Sequence, residues 1–284
     1  MNRLVYRVSA FPKGNKGGNE AGVVLDTDNI TKEEMQTIAK HVGYSETAFI
    51  FPSKKADLKL RYFSPTTEVS LCGHATIGAF NLLRNLDKLD KELYTIETID
   101  ALLTIRIKPN SVLLELDAPT IKKGPKKKEV LDILNLESHQ VLSDDIKVVS
   151  TGIEEIFVEV DSLKTLHSLK LDKTKVKKLC SETLCTGLYV YTLETEESYA
   201  TAQGRNFLPV IGIEEESATG TASGALAVYL YAEKNIEKDL FVFEQGNVLN
   251  KPSLIEVALS KTKHQLPKAF VGGSMRFIDK ITKY

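Results

Sequence analysis

Three short stretches of this 284-residue chain gather the side chains that acid/base chemistry uses. In Tyr44-Ser45-Glu46-Thr47-Ala48-Phe49 a carboxylate stands where a polar loop meets an apolar run. Half-burial there would raise the Glu46 pKa toward the working range of a general base, whereas a strand edge in solvent would leave it without a chemical task. In Leu71-Cys72-Gly73-His74-Ala75-Thr76 a thiol and an imidazole lie two residues apart where a helix is expected to begin. The backbone N–H groups after Gly73 would be open to an anion. His74 titrates near neutrality, so it is either a proton carrier or a core histidine. No second His or Cys occurs at ligand spacing, so no metal is expected. Adjacent residues rarely aim at each other, and no third group orients a Cys–His nucleophile pair.

The third stretch runs from Gly212 to Gly224 and places three consecutive glutamates before a Gly-Thr helix entry. In one reading Glu216 is a base, with the hydroxyls of Thr219 and Thr221 and the backbone of Gly220 at a second anion-accepting helix start. In the other it is a solvated acidic loop with a threonine cap. No Gly-Lys-Ser/Thr follows, so a nucleotide phosphate loop is not indicated.

These stretches belong to an internal repeat. Arg61-Tyr-Phe-Ser-Pro65 precedes Cys72-Gly-His-Ala-Thr76, and Arg205-Asn-Phe-Leu-Pro209 precedes Thr219-Gly-Thr-Ala-Ser223. The offset is 144 residues at the arginines and 147 at the glycines, so the second copy carries three extra residues. Two similar halves are expected, each with a strand ending in Arg-x-Phe-x-Pro and a Gly-led helix entry. A site built from both would face two helix N-termini at one ligand, which suits a small carboxylate.

The elements that must position these residues follow from hydrophobic periodicity. Strands are expected at 3–10, 21–25, 47–52, 58–63, 93–97, 102–107 and 112–116. In the second half they are expected at 146–150, 156–160, 188–193, 199–207, 240–245, 254–258 and 269–274, followed by a polar tail. Thr31 and Glu34 form a capping box for a helix that ends near Gly43. Residues 75–86 and 222–234 read as buried helices, with short helices at 129–134, 163–169 and 174–179. The stretch 119–129, rich in Pro, Gly and Lys, reads as an inter-domain linker. Many strands about two buried helices indicate an α+β fold. The domains expected are 1–118 with 275–284, and 119–274.

Composition excludes several function classes. Net charge is −1, without the basic excess of a nucleic-acid surface. No apolar run approaches a membrane span, and the first residues lack the apolar core of a signal peptide, so a cytoplasmic protein is expected. Three cysteines, Cys72, Cys180 and Cys185, suit free thiols in a reducing compartment.

Taken together, the motifs resemble those of the phenazine-biosynthesis PhzF-like proteins, relatives of diaminopimelate epimerase. The matching segments are Gly18-Asn-Glu-Ala-Gly-Val-Val24, Ser45-Glu-Thr-Ala-Phe49, Arg61 to Glu68, Leu71 to Thr76, Ala218-Thr-Gly-Thr-Ala222 and Glu244-Gln-Gly-x-x-x-x-x-Pro-Ser253. The resemblance implies two pseudo-symmetric lobes, each a barrel-like sheet around a central helix, with the active site in the cleft between them. It implies a cofactor-independent isomerase acting on a small carboxylic acid, and a homodimer. By the same resemblance Glu46 removes a proton and returns it elsewhere on the substrate, with His74 and Glu216 assisting. Asn19, Cys72, Gly73, Thr219, Gly220 and Thr221 are the implied substrate contacts. Glu216 and Thr221 stand where the family carries aspartate and serine, and Glu20 and Ser217 where it commonly has proline.

The epimerase relatives use two thiols, one on each face of the carbon. The second thiol position here holds Thr219, whose hydroxyl is far too weak a base, which argues against two-thiol racemisation. A Cys72/Thr219 pairing resembles hydroxyproline dehydratases, so a lyase is the alternative expectation, and a catalytically silent small-molecule binder is a third.

Overall fold

The structure, a computed structural model, describes residues 3–260 and 265–282. It divides into two compact units: the described residues up to Glu115 with those from Gly272 onward, and Leu116–Val271.

In the N-terminal unit, β1 (Leu4–Ala10), β2 (Asn19–Val24), β3 (Glu46–Pro52) and β4 (Leu58–Phe63) pair in that order. The β2–β3 pair is parallel, and α1 (Lys32–Val42) makes the crossover. Thr31 and Glu34 form the reciprocal capping box that the sequence indicates, and Gly43 closes the helix at φ 72°, a conformation glycine adopts without steric cost. Met35, Ile38, Ala39 and Val42 bury one face of α1 on Val5, Val24, Phe49 and Phe63. Spacing of three and four residues puts these side chains on one stripe. β5 (Glu68–Val69) pairs with β4, and α2 (Gly73–Asn85) crosses over to β6 (Leu93–Glu97), which is parallel to β4. β7 (Leu102–Ile107) and β8 (Val112–Glu115) continue antiparallel. Every residue of α2 from Ala75 to Leu83 is buried, so the helix is apolar on all sides and needs strands around it. It packs on β1, β2, β3 and β8.

The C-terminal unit repeats this connectivity. β9 (Thr120–Lys123) and β10 (Lys147–Ser150) flank a loop containing α3 (Lys127–Leu134), and β11 (Glu154–Glu159) is antiparallel to β10. After α4 (Leu163–Ser168) and α5 (Lys173–Glu182), β12 (Gly187–Thr192) lies parallel to β11. β13 (Ala202–Leu208) is antiparallel to β12 and carries β14 (Ile213–Glu216). α6 (Gly220–Lys234) then crosses over to β15 (Phe241–Gln245), parallel to β13, and β16 (Ser253–Ser260) turns back. α6 is buried throughout Ala222–Leu230.

Two expectations are corrected. The stretch 119–129 is not a free linker: Thr120–Lys123 forms β9 against β10, and α3 begins at Lys127. Three of the four β9 residues are exposed, so lysine solvates the strand while its backbone completes the ladder. Nor is the chain after Ser274 a polar tail. β17 (Lys268–Gly273) is followed by β18 (Met275–Thr282), which pairs antiparallel with β1, and Arg7 binds Asp279 across that pair. Strand β2 also begins at Asn19, earlier than the apolar run suggests.

The Arg-x-Phe repeat has a structural explanation. Residues i and i+2 of a strand share a face, and each arginine stacks over its phenylalanine, Arg61 on Phe63 at 5.3 Å and Arg205 on Phe207 at 5.0 Å. Each also makes a two-point pair with a glutamate, Arg61 with Glu68 at 2.6 and 2.8 Å, and Arg205 with Glu215 at 2.9 and 2.7 Å. The arginine-to-glutamate spacing is 7 residues in the first copy and 10 in the second, so the three extra residues lie between them. They are accommodated in the 3-10 turn Pro209–Ile211, which ends on Gly212 at φ 83°.

The second pair is the more buried, its side chains being 8% and 7% exposed, and Arg205 also donates to the carbonyls of Leu166 and Leu169 at 3.0 Å. Removing one partner of such a pair strands the other's charge. Arg205→Ala is therefore expected to cost about 3–5 kcal/mol of stability. Arg61→Ala should cost less, because Lys32 remains 3.1 Å from Glu68. The shift in urea midpoint at constant m-value measures both.

Candidate active site

Local pairing sets the N-terminal group. Glu46 is the first residue of β3 and lies opposite Ala21 of β2, two residues beyond Asn19. Cys72 is the N-cap of α2, in an extended conformation without a side-chain cap bond. The Cys72 Sγ lies 3.4 Å from Glu46 Oε2 and 3.4 Å from His74 Nδ1. His74 Nε2 is 3.4 Å from the same Glu46 oxygen. Ser45 Oγ is 3.3 Å from Nε2, and Asn19 Nδ2 is 3.4 Å from Nδ1. Thus Asn19, Glu46, Cys72 and His74 come together, and Gly73 sits between the last two.

The His74 side chain is 10% exposed and that of Glu46 is 22% exposed. Burial holds the His74 pKa below the ordinary imidazole value, against the opposing pulls of Glu46 and of a hydrogen bond to the Glu20 backbone. At neutral pH the ring is therefore uncharged, and it can accept one proton while giving up another. A thiol, an imidazole and a carboxylate in mutual contact at a water-poor position can take, hold and return a proton.

The C-terminal group forms about the matching helix entry. Thr219 is the N-cap of α6, again without a side-chain cap bond, and is 6% exposed. Its hydroxyl donates to Glu216 Oε2 at 2.7 Å and accepts from Asn206 Nδ2 at 3.1 Å and Gln245 Nε2 at 3.0 Å. A hydroxyl has one hydrogen and two lone pairs, so that of Thr219 is saturated. Gln245 also donates to the Glu216 carbonyl at 2.8 Å and accepts from the Thr219 N–H at 3.2 Å, which ties the turn to β15. Gly220 and Thr221 open the helix, and the Thr221 carbonyl accepts from Thr151 at 2.8 Å.

The solvated-loop reading of the three glutamates does not hold. Ile213–Glu216 is a strand on β13 whose register shifts between Asn206 and Leu208, and the three glutamates meet different environments. Glu214 pairs with Lys173 in solvent, Glu215 is buried against Arg205, and Glu216 turns to Thr219.

Sequence reasoning missed Glu155. This β11 residue is fully buried, and its Oε1 accepts from Asn206 Nδ2 at 2.9 Å, which links it to Thr219. Burial, reinforced by the nearby Glu216 charge, pushes its pKa up to about 8, so the carboxyl is largely protonated at neutral pH. The signal was available: Glu154-Glu155-Ile-Phe-Val-Glu159 puts charge inside an apolar strand. Gln245 was present in a quoted motif without a role. Here it is the clamp on Thr219.

The comparisons agree in extent with the repeated architecture. The sequence model of the family described as "Phenazine biosynthesis-like protein" (PhzC-PhzF) matches residues 8–276. An uncharacterized isomerase of Clostridium acetobutylicum is 34% identical over 284 residues, covering 95% of this chain and 94% of its own. The uncharacterized isomerase YddE of Escherichia coli is 28% identical over 286 residues, covering 96% of each. The crystal structure of a PhzF-family phenazine biosynthesis protein from Bacillus anthracis superposes with a TM-score of 0.90 at 30% identity, over 100% of this chain and 99% of that one. The fold alone reaches further, to a hydroxyproline epimerase of Agrobacterium vitis with a TM-score of 0.58 at 11% identity, over 99% and 91% of the two chains. No helix among the described residues is long and apolar enough to cross a membrane. With a family match over nearly its whole length and a doubled α+β fold to go with it, the chain belongs to the phenazine biosynthesis-like (PhzF) family of isomerases.

Proposed function

We propose that this isomerase works without a cofactor, by general acid/base proton transfer on a small, cyclic or unsaturated carboxylic acid, with Glu46 as the proton shuttle. The observation that carries the reading is the single Glu46 oxygen in contact with both Cys72 Sγ and His74 Nε2 at 3.4 Å. Those contacts hold the carboxylate in one orientation and leave its other oxygen for a substrate carbon acid. Glu46 takes the proton from one carbon and returns it to another, and neutral His74 steadies the carboxylate between the two steps. The backbone donor at Gly73, with Asn19, is the proposed substrate contact of the N-terminal unit, and the backbone donor at Gly220, with Thr221, that of the C-terminal unit. Glu216 is the assisting carboxylate, held by Thr219.

The direct test is incubation with a panel of small unsaturated and cyclic acids in deuterium oxide. Incorporation of solvent deuterium at carbon, dependent on the protein, is the expected result. Absence of exchange across the panel, together with tight binding of one member, would establish a silent binder instead.

The dehydratase reading keeps one observation in its favour, the 3.4 Å contact between the Cys72 thiol and His74 Nδ1, which could draw off the thiol proton. Its partner Thr219, however, has its hydroxyl saturated within the C-terminal unit. Cys72→Ser separates the two readings. The isomerase should keep its rate within about tenfold, whereas a thiolate base replaced by an alcohol should lose about 10²–10⁴-fold.

A further inference from the structure

The contacts among Glu46, Cys72 and His74 have a second chemical meaning that the isomerase reading does not use. Their donor atoms are sulfur, imidazole nitrogen and carboxylate oxygen, all within 4.8 Å of one another. The separations are 3.8 Å from Cys72 Sγ to His74 Nε2, 3.4 Å from Sγ to Glu46 Oε2, and 3.4 Å from Nε2 to the same Oε2. A tetrahedral zinc ion, with bonds of about 2.3 Å to sulfur and about 2.0–2.2 Å to nitrogen and oxygen, sets its ligands about 3.3–3.6 Å apart. The three atoms thus form one triangular face of a zinc tetrahedron to within a few tenths of an ångström.

We infer that Glu46, Cys72 and His74 form a binding site for a thiophilic divalent cation, Zn²⁺ or Cd²⁺, whose occupancy inhibits the enzyme. The donor set decides the class of ion. Thiolate and imidazole select zinc-like metals, whereas Mg²⁺ and Ca²⁺ take oxygen. Cys72 is 8% exposed, so little water competes for the ion. On binding, the thiol proton leaves to solvent and sulfur donates as thiolate, while His74 donates the lone pair of Nε2 and Glu46 donates as carboxylate. Three protein ligands leave a fourth corner for water. A bound ion occupies the Glu46 oxygen and the His74 nitrogen that the proposed proton transfer needs. The inhibitory consequence rests on that reading; the binding itself does not.

The test uses the full chain, stripped with a chelator and titrated with Zn²⁺ alone against a chromophoric indicator, and with Co²⁺ by absorbance. One Zn²⁺ per chain is expected, with a sulfur-to-cobalt charge-transfer band and the intense visible bands of tetrahedral cobalt. Cys72→Ser should abolish the charge-transfer band. His74→Gln and Glu46→Gln should weaken zinc binding by at least the ~10–100-fold seen for loss of outer-shell partners. His139→Gln, at an exposed histidine beside Glu137, should change nothing. Circular dichroism confirms that each variant folds. Absence of saturable uptake below about 100 μM would overturn the site. So would unchanged binding in the three ligand variants, which would place the ion elsewhere. No substrate enters the titration, so a failed metal site leaves the isomerase reading standing, and a failed exchange assay leaves the metal site standing.

Discussion

Glu46→Gln is expected to lower turnover by about 10³-fold while leaving substrate binding within about twofold, within the range assigned to a positioned acid/base group. The amide keeps the shape of the side chain and one oxygen that can accept from Cys72 or His74. What it loses is the capacity to take a proton from carbon. The Glu46 side chain is 22% exposed and touches Cys72 and His74 through one oxygen, so the substitution strands no buried charge, and the urea midpoint should move little. A fall in kcat and kcat/KM together, with a nearly unchanged dissociation constant for an unreactive acid, marks an interaction made only in the transition state. The same variant should cease to exchange solvent deuterium into substrate, which separates failed proton abstraction from slow product release. Full turnover in Glu46→Gln would remove Glu46 from the mechanism and shift attention to Cys72, whose serine variant would then be the inactive one.

Much of this arrangement was legible in the order of residues, and the gaps have physical causes. Cys72 and His74 could be placed at a helix start because Gly73 and the apolar run after it mark one. Their contacts with Glu46, 26 and 28 residues earlier, depend on β3 starting beside β2, which no local window contains. β18 was missed for the same reason. Its partner β1 lies at the other end of the chain, and Met275–Thr282 is nowhere fully buried, so apolar periodicity is weak. β9 was hidden by lysines that solvate a strand whose backbone is nonetheless paired. The Arg-x-Phe-x-Pro repeat marks two halves, and the fold gives it content: each arginine stacks on its phenylalanine and clasps a glutamate five residues before the helix glycine. That glutamate, Glu68 or Glu215, repeats as faithfully as the arginine, and the sequence hides the correspondence because the insertion changes its distance from Arg205. The run Glu214-Glu215-Glu216 reads as one acidic feature because composition does not report the pairing of a short, irregular strand with β13.

Glu155 is the residue whose replacement should change stability most favourably, and the effect should depend on pH with a definite sign. The carboxyl is fully buried; Oε1 accepts from Asn206, and Oε2 has no partner among the described residues. Its folded pKa of about 8 lies above the ordinary value of 4.5, so folding favours the protonated form. Below pH 4.5 both folded and unfolded chains carry the proton, and the group imposes no penalty. Between that value and about 8 only the folded chain holds it, and stability falls as pH rises, by up to about 1.4 kcal/mol per pH unit. Above about 8 both states are ionised and the penalty is constant. Glu155→Gln is neutral at every pH and keeps an oxygen for the Asn206 amide. The variant should match the natural protein near pH 5 and exceed it by a few kcal/mol near pH 8, read from urea midpoints at the two values. A glutamine that stabilised the chain equally at both pH values would indicate better packing rather than relief of a buried ionisation. A glutamine that destabilised it only at pH 8 would mean that the folded protein stabilises the Glu155 carboxylate, and the picture of a neutral acid behind Asn206 and Thr219 would have to be given up.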